Sequence, residues 1–102
     1  MQMTFYCRNK SQWIRRLIDR GVDAERIFYF NFADDRLRPA PDTLMSDILE
    51  EYWRQGPSAR MKGCYLFLDE VQETDGWQGV CQRLAEHESV TLVITGSSSK
   101  LS

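Results

Sequence analysis

YLFLDEVQETDGW (65–77) decides how this chain is read. Four apolar residues run straight into Asp69 and Glu70. Two adjacent carboxylates repel each other and need solvent, partners or a cation. An apolar run that stops at them reads as a buried strand whose end emerges where chemistry can be done.

Working outward, Cys64–Leu68 has apolar residues at successive positions, as expected of a strand covered on both faces of a parallel sheet. Val90–Ile94 (VTLVI) is a second such run and leads into Thr95, Gly96 and three serines. Ile27–Phe32 (IFYFNF) is aromatic-rich and reads as a third strand. Met3–Cys7 (MTFYC) is a candidate short strand. The segments between them carry helical periodicity. Ser11–Arg20 places Trp13, Ile14, Leu17 and Ile18 on one face, with Ser11 as N-cap and Gly21 as its stop. Asp42 to about Gln55 carries Leu44, Ile48, Leu49 and Tyr52, with Asp42 as cap and Gly56-Pro57 as stop. Trp77 to about His87 carries Val80, Cys81, Leu84 and Ala85. Strands alternating with helices predict an α/β fold with a parallel sheet and flanking helices. In such sheets ligands bind outside the carboxyl ends of the strands. Asn31–Asp35, Asp69-Glu70 and Thr95–Ser99 should therefore converge.

The composition sets bounds on function. The chain has 102 residues, 42% of them hydrophobic and 27% charged, as in a globular domain. A net charge of −2 gives no strong signal for nucleic-acid binding. No apolar run approaches the ~20 residues of a membrane span. MQMTFYCRNK lacks the apolar core of a signal peptide. Cys7, Cys64 and Cys81 are odd in number and widely spaced, which fits a reducing cytoplasm rather than a disulfide framework or zinc site.

Asp69-Glu70 fits two readings. A strand can simply end at the surface in two solvated acids. Alternatively, the pair is a Walker B arrangement. There the first acid holds Mg²⁺, usually through water, and the second orients the water that attacks a γ-phosphate. Thr95 at the next strand end can be an ordinary turn residue or a sensor touching the same water and phosphate. Two strand ends with complementary chemistry are harder to assign to chance than either alone.

FLDEVQETDGW (67–77), followed by VITGSSSKLS (93–102), resembles the AAA-type P-loop ATP-binding proteins of bacteria and archaea. RGVDAERIFYFNFADDRL (20–37) is similar to the second strand and following loop of that family. The resemblance covers roughly residues 11 to 102 and implies a partial P-loop NTPase core using ATP and Mg²⁺. It implies Asp69 as the Mg²⁺-side acid, Glu70 as the catalytic water-orienting acid, and Thr95 with Ser97 as sensor. Gln72 and Trp77 match the pattern too, Trp77 mainly as a packing residue.

One part of the family pattern is missing. Its phosphate loop is Gly-x-x-x-x-Gly-Lys-Ser/Thr, whose glycines let backbone N–H groups approach phosphate. Here Lys10-Ser11 stands where that loop would end, but Thr4 and Asn9 occupy the glycine positions, and Phe5 and Tyr6 would crowd the path. The expected function is therefore a truncated or degenerate ATP-binding domain over residues 1–102 with little hydrolysis. The alternative is a non-catalytic protein-interaction module on the same fold. A Mg²⁺-dependent nuclease using Asp69 and Glu70 lacks a paired lysine motif. If Met3–Cys7 does not pair with Val90–Thr95, that strand becomes an apolar edge open to a partner or to self-association. Arg36 and Arg38 lie on the wrong loop for an arginine finger. Asp34-Asp35 reads as a solvated loop, Arg15, Arg16 and Arg20 as the wet face of a helix, and His87 as a surface residue. Trp13, Trp53 and Trp77 read as packing residues.

Overall fold

A computed structural model describes residues 4–6 (backbone), 10–87 and 89–96. Four parallel strands form one sheet in the order β1-β4-β3-β2: β1 Thr4–Tyr6, β2 Ile27–Asn31, β3 Cys64–Asp69 and β4 Val90–Ile94. Between them lie α1 (Lys10–Asp19), α2 (Leu44–Gln55), α3 (Pro57–Lys62) and α4 (Trp77–Ala85). The path β2→β3→β4 steps across the sheet in one direction, whereas β1→β2 steps the other way. Right-handed crossovers then place α1 on one face and α2–α4 on the other.

The side chains follow that division with a period of two. On β3, Cys64, Leu66 and Leu68 join the larger core with Met45, Leu49, Ala59, Trp77 and Cys81. Phe67 faces the opposite way and packs with Leu17 of α1 and Val93 of β4, flanked by Trp13, Ile14, Val22, Ile27 and Tyr65. The Trp13 ring meets the Phe67 ring edge-on at 6.5 Å. On β2, Phe28 and Phe30 turn to the larger core and Ile27 to the smaller one. Asp69 and Thr95 continue the odd-numbered series of Phe67 and Val93, so the pleat aims both at the α1 side.

Val90–Ile94 is a strand over the expected residues, and β1 pairs along it with Thr4 opposite Leu92 and Tyr6 opposite Ile94. β4 is thus an interior strand and not the apolar edge considered above. The outer strands are β1 and β2.

Several helix ends differ from expectation. α1 begins at Lys10, so Ser11 lies inside its first turn rather than capping it. The cap of α2 is Thr43, not Asp42, and the Thr43 hydroxyl donates to Asp47 Oδ2 at 2.9 Å. Pro57 does more than stop α2: it opens α3, because a missing N–H and a fixed φ suit the first helical turn. Gly21 does end α1, at φ +89. Its N–H donates to Ile18 O at 3.0 Å and Val22 N–H to Leu17 O at 3.0 Å, the two bonds of a Schellman motif. Among the described residues no helix is long and apolar enough to cross a membrane.

Candidate functional site

The carboxyl ends of β2, β3 and β4 are laced together by backbone bonds. Phe32 N–H donates to Asp69 O at 3.0 Å, Thr95 N–H to Leu68 O at 3.1 Å, and Val71 N–H to Thr95 O at 3.3 Å. Asn31 lies opposite Asp69 in the register, and Leu68 opposite Ile94. Arg38 braces the outer loops by donating from Nη2 to Phe32 O at 2.7 Å and to Glu73 O at 2.8 Å. It thus acts as a strut between loops, while Arg36 pairs with Asp34 in solvent. That exposed pair holds the Asp34 carboxyl down at about 2, chiefly through its hydrogen bond to the Arg36 side chain.

Asp69 is the centre of the arrangement, with its side chain only 13% exposed. Its Oδ2 accepts from Lys10 Nζ at 2.8 Å and from the Tyr29 hydroxyl at 2.9 Å. Its Oδ1 accepts from the Thr95 hydroxyl, whose oxygen in turn receives the Glu70 N–H at 3.3 Å. The Lys10 ammonium also lies 5.3 Å from the centre of the Tyr29 ring, within cation–π range. The Lys10 pKa is raised, first by its hydrogen bond to Asp69. The Tyr29 pKa is raised, first by burial and then by its hydrogen bond to Asp69.

The structure brings Lys10, Asp69 and Thr95 together although they are far apart in sequence. Ser11 is exposed, on a surface shared with Ile14, Arg15, Ile18 and Asp19. Ser97 lies outside the described residues. Tyr29 is the contributor that sequence reasoning missed. In IFYFNF every residue but one is apolar or aromatic, so the run does not show which members face α1. Counting back by two from Asn31, the residue paired with Asp69, would have found it.

Glu70 follows Asp69 with φ 54 and ψ 49, a left-handed conformation that side chains other than those of Gly, Asn and Asp seldom adopt. The turn directs its carboxylate to Gln72, whose Nε2 donates to Glu70 Oε2. Such strain at a polar site is retained when the surroundings over-determine it. Here the bonds from Thr95 do so on both sides of Glu70. The usual order of residues should consequently invert at this position. Glu70→Gly should be more stable than Glu70→Ala by about 1 kcal/mol, read from urea midpoints. An alanine variant as stable as the glycine variant would count against the left-handed turn.

Residues 9–102 match a protein-family model described as an AAA domain. The chain belongs to the AAA domain family. The resemblance drawn from the strand-end motifs to AAA-type P-loop proteins is thus shown, and the parallel α/β sheet with flanking helices is a partial AAA-type P-loop core. An uncharacterised protein of Haemophilus influenzae is 31% identical over 85 residues, covering 83% of this chain and 20% of that protein. The chain therefore spans about a fifth of that relative's length. No solved structure matches it.

Proposed function

We propose that residues 1–102 form part of an AAA-type ATPase domain and supply the metal- and water-handling side of its ATP site. Asp69 is the Mg²⁺-side Walker B acid, Glu70 the water-orienting acid, Thr95 (with Ser97) the sensor, and Lys10-Ser11 the phosphate-side pair. One observation carries this reading: a lysine at the head of α1, a carboxylate at the end of β3 and a hydroxyl at the end of β4 meet on Asp69.

The donor set suits Mg²⁺ arriving on a polyphosphate. Among the described residues no group of three or more His, Cys, Asp or Glu could hold a metal by itself. Mg²⁺ commonly takes one or two carboxylates and completes its shell with water and substrate phosphates. Bound there, it would neutralise charge on the transferring phosphoryl group. Asp69 would hold it, Lys10 would pair with phosphate, and Glu70, steadied by Gln72, would orient water.

Hydrolysis should be slow. The first glycine position of a phosphate loop falls on Thr4, inside β1, and three residues join Tyr6 to Lys10. A γ-phosphate that is not held in place gains little from well-placed acids. The competing reading, a non-catalytic interaction module, would use the edge of β1, an outer strand of the sheet among the described residues.

Calorimetric titration with Mg·ATP separates the two readings. The wild-type chain should bind weakly, and Asp69→Asn should weaken binding by about tenfold or more. Silence in both proteins, with both folded by circular dichroism, would remove the nucleotide reading.

A further inference from the structure

The acid assigned to Mg²⁺ already has a cation seated on it. Both oxygens of Asp69 are engaged, Oδ2 by Lys10 and Tyr29 and Oδ1 by Thr95. A free divalent ion approaching Oδ2 would meet the Lys10 ammonium at contact distance from the same oxygen, and like charges that close repel. The Tyr29 ring, 5.3 Å from that ammonium, and the Tyr29 hydroxyl favour the parked position from the other side. An anionic phosphate changes the balance. Lys10 is the first residue of α1, a ten-residue helix, where unpaired backbone N–H groups and the helix dipole favour negative charge. Phosphate there would compete with Asp69 for the ammonium and leave Oδ2 open.

We propose that Lys10 and Tyr29 make this site selective for a metal–polyphosphate complex over the free cation, Lys10 as the blocking charge and Tyr29 as the residue that positions it. The proposal rests on the ATP-site reading above and adds to it an order of events. The metal cannot settle on Asp69 until a phosphate has drawn Lys10 away.

Mn²⁺ is the probe, with free ion followed by electron paramagnetic resonance. Millimolar Mn²⁺ alone should leave the wild-type chain unloaded. Lys10→Met should take up Mn²⁺ alone at least about tenfold more tightly. Tyr29→Phe, which keeps the ring but removes one donor from Oδ2, should show a smaller gain. The double variant Lys10→Met/Asp69→Asn should lose the gain, which places it at Asp69. The proposal is overturned if the wild-type chain binds Mn²⁺ alone as tightly as Lys10→Met, or if the gain survives in the double variant. If Lys10→Met gains Mn²⁺ but the wild type takes up no Mn·ATP, the blocking role stands and the ATP reading falls. If the wild type takes up Mn·ATP and Lys10→Met gains nothing, the ATP reading stands and the blocking role falls.

Discussion

Between pH 9 and pH 11 the folded domain should lose about 4 kcal/mol of stability, a large share of the ~5–15 kcal/mol that holds a typical domain together. The cause is two buried thiols. Cys64 and Cys81 are 2% and 6% exposed. Burial pushes the Cys64 thiol up to about 11 and the Cys81 thiol up to about 12, from an ordinary 9.0. A folded-state value above the unfolded one means that the unfolded chain releases its proton first. The stabilisation is therefore complete below pH 9 and drains as pH rises, by about 1.4 kcal/mol per thiol per pH unit. Tyr52, raised to about 12 mainly by burial, adds to the same slope above pH 10. The raised values of Lys10 and Tyr29 act in the same direction. Urea denaturation in reducing buffer at half-unit steps from pH 8 to 11 measures the slope. The Cys64→Ala/Cys81→Ala variant should start less stable and fall more gently. An unchanged slope in that variant would show that the thiols are not buried as described.

Phe67→Ala should cost about 3–5 kcal/mol, and its effect should reach the site. Phe67 is 1% exposed and is central to the smaller core, the layer that fixes α1 to the sheet. That layer is thin: among the described residues its buried members are Leu17, Phe67 and Val93. Removing the ring takes away the partner of Trp13 and leaves a void that the small cluster cannot refill. α1 carries Lys10, so a loosened helix should also weaken the hold of Lys10 on Asp69. The measurements are the urea midpoint and the Trp emission, which should shift to the red before the main transition. A loss below 1 kcal/mol would show that α1 is held by something else.

The alternation was legible because the runs at Ile27–Phe32, Cys64–Leu68 and Val90–Ile94 are separated by segments with clear helical stripes. Asp69, Glu70 and Thr95 stood out because they follow strands that end in apolar runs, Tyr65–Leu68 and Leu92–Ile94, where a polar residue has no packing role. Tyr29 did not, since both faces of β2 are hydrophobic and a tyrosine looks like its neighbours. The hydroxyl matters only once the register sets Tyr29 one pleat behind Asp69. Lys10 was legible as the residue before a helix, but its partner was not, because the pairing depends on which face of the sheet α1 covers. The short helix α3 was hidden by Gly56-Pro57, which ends one helix and starts another.

The central claim is that nucleotide chemistry belongs at the carboxyl ends of the strands. Amide shift mapping of the ¹⁵N-labelled chain during titration with Mg·ATP tests it most directly. The largest changes should fall on Lys10, Ser11, Asn31, Asp69, Glu70 and Thr95. Changes confined to the opposite end of the sheet, around Gly63, Cys64 and Ser89, or no change at millimolar nucleotide, would contradict it.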